Sequence, residues 1–174
     1  MAITNIQAKM LIGIEKKILI EGSPVDSIEI NQVFPLDLRY HLIDASEGNF
    51  EFFWRIYQSS KNTIKLSLHV QDDESNIGLM RIDYNGAHQN PSIAKDNLPK
   101  LFLPYVGKWF SDESHVHYYV EGYKPLAWAI PIAETSFETK EIEADKNESI
   151  KSAILEFAKI INVQTSINFN IMLI

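Results

Sequence analysis

Alternating apolar and polar positions dominate the middle of the chain and predict β-strands. The clearest runs are Leu36 to Ile43, Phe50 to Gln58, Ile64 to Val70, Ile77 to Tyr84 and His115 to Val120. In these runs, residues two positions apart are mostly either both apolar or both polar. Side chains two positions apart lie on the same face of a strand, so this alternation predicts strands. Short polar turns separate several of the runs, so we expect an antiparallel meander.

Apolar residues at helical spacing mark both ends of the chain. The first stretch runs from Thr4 to Leu19, and Thr4 and Gln7 have the spacing of a capping box. The sequence Gly22-Ser23-Pro24 is a stop signal after it. A second amphipathic helix is predicted from Glu148 to Ile161, because its apolar residues form one stripe.

Three further segments complete the expected fold. Ile167 to Leu173 alternates as a strand does, and Leu126 to Ile132 is predicted as a strand or a short buried piece. Ala87 to Trp109 contains several prolines and is irregular, which is typical of a functional loop. We therefore expect an α+β fold, with an antiparallel sheet of about six strands and N-terminal and C-terminal helices packed on one face.

The composition indicates one ordinary globular domain over residues 1–174. Hydrophobic residues make up 45% of the chain and charged residues 22%, which is enough apolar surface for a core. The absence of cysteine excludes disulfides, iron–sulfur clusters and a thiol nucleophile. Three lysines and one glutamate interrupt the apolar stretch Ala8 to Ile20, so neither a signal peptide nor a membrane span is predicted. These observations favour a cytoplasmic location.

The polar positions of the predicted strands collect arginines and histidines on one face. Although a net charge of −7 argues against non-specific binding of nucleic acid, it leaves room for a local basic surface. Arginine suits bidentate recognition of phosphate, and histidine exchanges protons near neutral pH. We therefore expect an anionic, phosphate-bearing ligand such as RNA. The residues on this face are Arg39, His41, Arg55, Tyr57, Lys65, Ser67, His69, Arg81, Asp83, His115, His117 and Tyr119.

Two roles are predicted within this set. Ligand binding is assigned to Arg39, His41, Arg55 and His69. Catalysis is assigned to Arg81, Asp83, His115 and His117. One histidine of the His-x-His pair would act as a base on a ribose hydroxyl and the other as an acid, while arginine stabilises charge on the phosphate.

Two other interpretations of the same face stay open. Histidines two apart on a strand lie ~6–7 Å from each other and can share a metal, with His69, His88 or Asp83 as the third ligand. Alternatively, the face is a solvated sheet surface with cross-strand ion pairs and no site. No sequence motif for a nucleotide or metal cofactor is present, so no cofactor is predicted.

Several stretches resemble known families. The blocks LRYHLID, GLMRIDYNGAHQNP and HVHYYVEGYKPLAWAIP resemble a bacterial and prophage family described as a domain of unknown function. An Arg-x-Asp-x-Asn block with a following His, and then His-x-His, is similar to TumE-like toxins of toxin–antitoxin pairs. The matching positions are Arg81, Asp83, Asn85, His88, His115 and His117.

The second resemblance implies a toxin-like activity on RNA that a partner protein holds in check. Relative to that group, the separation between the blocks is longer here and Tyr84 is additional. The alternative hypothesis is a non-enzymatic interaction or inhibitor module, favoured by the acidic charge and the aromatic residues of the irregular segment. Both hypotheses allow a protein partner.

Overall fold

A large antiparallel sheet forms the centre of the protein. The computed structural model describes residues 3–31, 34–60, 62–72, 75–143 and 147–170, and within them eight strands form this sheet in the order β2-β1-β4-β5-β6-β7-β8-β9. The strands are β1 (Lys16–Ile20), β2 (Ser23–Pro24), β4 (Asp37–Asp44), β5 (Glu51–Ser60), β6 (Thr63–Asp72), β7 (Ser75–Gln89), β8 (Trp109–Tyr118) and β9 (Trp128–Pro131). The α+β class with its antiparallel sheet is confirmed, whereas about six strands was too low a number.

The first helix is shorter than predicted. Helix α1 (Asn5–Gly13) begins with the predicted capping box, in which Gln7 N–H donates to the Thr4 hydroxyl and the Gln7 side chain accepts from Thr4 N–H. The chain turns to extended backbone at Ile14 and then forms β1, which pairs with β4. Gly13 weakens the helix, and the isoleucines that follow fit a pleated surface better than a helix. Extending the helix to Leu19 was therefore wrong.

The predicted central strands are present and register with one another. Strands β4, β5, β6, β7 and β8 pair antiparallel in succession. Strand β7 runs five residues beyond the predicted end at Tyr84, past irregular pairing near Gly86. The segment Ala87 to Trp109 is thus partly strand at its start, and it contains a 3-10 helix over Lys100–Tyr105.

The C-terminal part combines a helix with a small second sheet. Helix α2 (Asn147–Ile160) confirms the predicted amphipathic helix. Strand β10 (Ser166–Phe169) pairs parallel with β3 (Ser27–Ile30), which the alternation had not predicted. Residues 171–173 of the predicted last strand lie outside the described residues. Neither helix described here is long and apolar enough to cross a membrane.

The hydrophobic core joins both helices to the apolar positions of the sheet. Buried residues of α1 and α2, including Leu11 and Phe157, belong to the same cluster as Leu42, Trp54 and Leu66 of the strands. The rings of Trp54 and Phe157 have centroids 6.3 Å apart. Packing of both helices on the same face of the sheet stays a prediction, as does the single domain.

A buried lysine joins the ends of the helices to the sheet. Lys16 is fully buried, and its Nζ donates to the carbonyl oxygens of Ile12, Ile14 and Ile161 at 2.9, 2.7 and 2.9 Å. Burial lowers the pKa of Lys16 to about 7, against the opposing attraction of Asp44. The side chain satisfies carbonyl groups that helix ends leave without intrahelical partners.

We expect Lys16→Met to lower the free energy of unfolding by about 2 kcal/mol, because it leaves buried carbonyl oxygens without donors. Urea denaturation at pH 6 measures the difference. Lys17→Met is the matched control, since Lys17 is partly exposed and pairs at 2.6 Å with an Asp26 that is 90% exposed. An equal loss in the two variants would contradict a special role for Lys16.

Candidate functional site

The strand register places the predicted polar residues in two neighbouring rows that cross the sheet. One row contains, in order, Arg39, Arg55, Ser67, Arg81 and His117. The next row contains Asp37, Tyr57, Lys65, Asp83 and His115. Side chains that oppose each other on adjacent strands are near enough to interact. The sheet therefore brings these residues together, although they range from Asp37 to His117 in the sequence.

Three side chains at one end of these rows form a buried cluster. Asp83, His115 and His117, here called the buried cluster, are each 0% exposed. Oδ2 of Asp83 lies 3.6 Å from Nε2 of His117 and 3.8 Å from Nε2 of His115. The imidazole rings of the two histidines have centroids 4.8 Å apart. The His-x-His pair and the aspartate therefore face one shared point.

Backbone carbonyl groups fix which nitrogen of each histidine carries a proton. Nδ1 of His115 lies 2.7 Å from the carbonyl oxygen of Glu113, and Nδ1 of His117 lies 2.9 Å from that of Leu126. A carbonyl oxygen only accepts, so each Nδ1 must be the donor. In the neutral rings, each Nε2 consequently presents a lone pair towards Asp83.

Residues outside the predicted set cover the cluster. The rings of His88 and Phe110 lie over His115, with centroid separations of 5.8 and 4.6 Å. Leu126 has a φ of 57°, an uncommon conformation for a bulky residue that turns its carbonyl to His117. Its side chain fills the space that a side chain at Gly78 would occupy. This cover keeps solvent away from the two histidines.

Arginine and lysine balance the buried carboxylate. Nε of Arg81 donates to Oδ1 of Asp83 at 2.7 Å, and Nζ of Lys65 lies 3.2 Å from Oδ2. A second guanidinium nitrogen of Arg81 donates to Nε2 of His117 at 2.8 Å. Arg81 and Lys65 are partly exposed, so each reaches from the surface into the cluster. Their charges make burial of the Asp83 carboxylate tolerable.

Burial and these partners determine the protonation of the cluster. Burial lowers the pKa of His117 to about 4, and it also lowers the pKa of His115. For Asp83, burial alone would raise the pKa, but the charges of Arg81 and Lys65 hold it below its usual range. Near pH 7, the cluster thus contains one carboxylate and two neutral imidazoles.

The open half of the same face contains a cavity of about 390 Å³, here called the cationic pocket. Its described lining residues are Phe53, Arg55, Tyr57, Lys65, Ser67, His69, Asn76, Arg81 and Leu126. Burial and the charge of Arg81 lower the pKa of His69. Asp37, outside the lining, holds Arg55 through bonds of 2.9 and 3.0 Å. Arg81 and Lys65 belong to both the pocket and the surroundings of the buried cluster.

The predicted site residues are divided between these two regions. The four residues assigned to catalysis lie together, but His115 and His117 are covered rather than exposed. Of the residues assigned to ligand binding, Arg55 and His69 line the pocket. Arg39 and His41 are exposed on β4 and are not among the described lining residues. Their functional roles all stay predictions.

Sequence reasoning missed the residues that cover the cluster. Leu126 acts through a backbone carbonyl and an apolar side chain, which no sequence motif marks. His88 was considered as a metal ligand, but its Nε2 lies near Ala127 O and Asn90 Oδ1, at 3.0 and 3.2 Å. Lys65 lay on the predicted face without an assigned role. The alternation of the strands already placed Lys65 on the same face as Asp83, and their opposite charges were the available signal for its role.

Fold and site together define an α+β protein with a cationic pocket beside a buried carboxylate–histidine cluster. A family model covers residues 3–163, and the chain belongs to that family, a family of unknown function (DUF6978). The predicted membership in a family of unknown function is therefore confirmed. Neither a curated protein nor a solved structure matches the chain. The TumE-like similarity and the bacterial or prophage origin stay predictions.

Because His117 is buried as a neutral imidazole, we expect the folded protein to lose stability in acid. The ordinary pKa of 6.5 applies when the chain unfolds, whereas the folded value is about 4, so the unfolded state takes up the proton first. The contribution of neutral His117 to the free energy of unfolding is therefore complete above about pH 6.5, and it is lost as the pH falls towards 4. We expect the loss between pH 7 and pH 4 to be about 3 kcal/mol smaller in His117→Gln.

Urea denaturation at several pH values measures this difference. His41→Gln is the control, because His41 is exposed on the same sheet and has its ring against Phe53. We expect this variant to follow the wild-type pH dependence. If His117→Gln lost as much stability as the wild type, His117 would not be buried in its neutral form.

Proposed function

We propose that the protein is a toxin-like ribonuclease that binds an RNA phosphodiester in the cationic pocket. The observation that carries the proposal is the convergence of Arg55, Lys65 and Arg81 on one cavity that also contains His69. We further propose that the two helices cover the opposite face of the sheet, leaving this face to the RNA. A bacterial or prophage source and a neutralising partner protein belong to the same proposal.

The charge of the pocket favours a phosphate. No carboxylate occurs among the described residues that line it. The nearest paired carboxylates, Asp37 and Asp83, are each shared between two cations, so the surroundings retain excess positive charge. Guanidinium groups donate to phosphate in a bidentate manner, and partial burial strengthens that interaction. This local excess counters the acidic character of the whole chain.

The size and apolar lining of the pocket fit a nucleotide. Small-molecule pockets usually enclose about 300–1,000 Å³, and this one encloses about 390 Å³. Phe53 and Tyr57 line it beside the cations. Aromatic side chains provide stacking surfaces for unpaired bases, which is the common mode of single-stranded RNA recognition. A phosphate and an adjoining base can therefore be bound together.

His69 is the pocket histidine suited to act as a base. Its lowered pKa keeps the ring neutral near pH 7, so it can accept the proton of a ribose 2′-hydroxyl. The 2′ oxygen attacks phosphorus, and the bond from phosphorus to the 5′ oxygen breaks. The leaving oxygen takes a proton from solvent, and the products are a 2′,3′-cyclic phosphate and a 5′-hydroxyl. Arg81 and Lys65 stabilise the charge that develops on the phosphate.

The buried cluster supports this chemistry by positioning Arg81. The guanidinium is held by Asp83 at 2.7 Å and by His117 at 2.8 Å, so its orientation is defined before substrate binds. A donor that is already oriented loses little entropy on binding the transition state. His115 and His117 thus act through Arg81, since their cover separates them from substrate.

The proposal predicts RNA cleavage that depends on His69. We expect the purified chain to cleave a labelled single-stranded RNA and to leave DNA of the same sequence intact, because DNA lacks the 2′-hydroxyl. His69→Ala should lower the rate by at least about 100-fold, since the base is lost. Gel analysis of the products, with detection of the cyclic phosphate end, measures both expectations.

The matched control is Lys159→Gln, which removes one positive charge from an exposed position of α2. It should cleave like the wild type, with an equal temperature of unfolding. Cleavage that survives unchanged in His69→Ala would contradict the proposed base. The absence of cleavage and of growth inhibition in a folded wild-type protein would contradict the proposed ribonuclease.

A second candidate function is binding of a protein partner. The segment after β7 and the start of β8 expose several large apolar side chains, which is typical of interaction surfaces. These are Ile93, Leu101, Leu103, Val106 and Trp109, with exposed fractions of 75%, 53%, 50%, 36% and 58%. Such a surface fits the interaction module considered from the sequence, and also the partner that a toxin requires.

We expect a two-hybrid screen of the source genome to return a partner that binds through this surface. Trp109→Ser should weaken its binding at least about tenfold, because exposed tryptophans often dominate interfaces. Ile6→Ser is the control, since Ile6 is 82% exposed on α1. A partner that bound both variants equally well would contradict the assignment to this surface.

A further inference from the structure

We propose that the buried cluster of Asp83, His115 and His117 binds one divalent transition-metal ion, with Zn²⁺ as the best-suited ion. The inference goes beyond the proposed ribonuclease, which uses the pocket and needs no metal. It rests on the arrangement of donor atoms, on the groups behind the histidines and on unpaired polar atoms inside the protein.

The donor atoms are close enough to share one ion. One ligand atom from each of Asp83, His115 and His117 lies within 4.8 Å of the others. The aspartate oxygen is 3.6 and 3.8 Å from the two imidazole nitrogens. Tetrahedral Zn²⁺ holds nitrogen and oxygen ligands at about 2.0–2.2 Å, so its ligand atoms are separated by roughly 3.4 Å. The two aspartate–histidine separations would close by a few tenths of an ångström, and the longest separation by up to roughly 1.4 Å, to complete the set.

The histidines are oriented as metal ligands are. Each donates its Nδ1 proton to a backbone carbonyl, from Glu113 or Leu126, and presents the Nε2 lone pair to the shared point. Metal-binding histidines almost always have such a partner on the other nitrogen, because it fixes the tautomer and raises basicity.

Two donor atoms of the cluster have no hydrogen-bond partner among the described residues. They are Nε2 of His115 and Oδ2 of Asp83, both without exposed surface, although Lys65 lies near the latter as an ion pair. Buried polar atoms without a hydrogen-bond partner are uncommon, and a bound ion is one explanation for them. A metal ion would satisfy both atoms at once, which neither Arg81 nor Lys65 does here.

Arg81 competes with the ion for the lone pair on Nε2 of His117. Its guanidinium occupies Nε2 of His117 and Oδ1 of Asp83, at 2.8 and 2.7 Å. The Arg81 side chain is 28% exposed and adjoins the cationic pocket, so it can withdraw towards solvent. The fourth coordination position then belongs to water or to an anion. Metal and guanidinium are therefore alternative occupants of the cluster.

This competition gives the inference a distinctive test. We expect the wild-type chain, dialysed against ZnCl₂ and then against metal-free buffer, to retain one equivalent of zinc by elemental analysis. Arg81→Met should bind Zn²⁺ about tenfold more tightly in calorimetric titration, because the competing cation is gone. His115→Ala should bind at least about 100-fold more weakly, because a ligand is lost.

Co²⁺ provides a spectroscopic measure of coordination. Titration of the wild type and of Arg81→Met with CoCl₂ should produce the visible absorption of a tetrahedral ion with nitrogen and oxygen ligands. Asp37→Asn is the matched control, because Asp37 belongs to the same cross-strand row as Asp83 but carries no histidine beside it. It should bind both ions as the wild type does.

The results that overturn the inference are equally specific. Zinc affinity that falls or stays the same in Arg81→Met contradicts the competition, and does so even if His115→Ala fails to fold. Retention of zinc by a folded His115→Ala shows that binding occurs elsewhere. Neither result bears on RNA cleavage by His69, so failure of the metal site and failure of the ribonuclease are separable.

Discussion

The arrangement of polar residues on this face of the sheet depends on a carboxylate that has no exposed surface. Asp83 remains charged inside the protein because Arg81 and Lys65 reach it from the open side. A buried charge without such partners would cost several kcal/mol of stability. The strands on either side must therefore hold cations and imidazoles in register with Asp83. The polar rows of the sheet follow from that requirement.

The cover over the cluster divides one polar face into two chemical environments. Over the β7 and β8 half, Leu126, Phe110 and His88 exclude solvent, so the histidines are neutral and Asp83 depends on the cations that reach it. On β5 and β6, the face stays open and its cations line a cavity. The local dielectric is lower in the covered half than in the open half. Ionisable residues of the same type therefore differ in protonation between the two halves. Arg81 lies at the boundary and belongs to both.

The sequence predicted the sheet and the composition of its polar face, because alternation with period two is a local signal. It did not predict that Arg81 would oppose His117 or that Asp83 would oppose His115, since register depends on turns and on irregular pairing such as that near Gly86. The alternation could not predict burial of the histidines, because residues of other segments cover them, such as His88 and Phe110 over His115. The helix prediction failed after Gly13, where the same isoleucines fit either period and pairing with β4 decided the outcome.

The position of Arg81 couples the two proposed sites thermodynamically. A metal ion in the buried cluster would release the guanidinium from His117 and Asp83, and the released group would remain beside the cationic pocket. An anion that binds Arg81 while the guanidinium remains on Asp83 and His117, as the proposed ribonuclease requires, would in turn keep the lone pair of His117 from the metal. Linkage requires the two effects to be equal in free energy. If both sites operate, phosphate and metal must therefore weaken each other's binding, and Arg81 is the group that connects them.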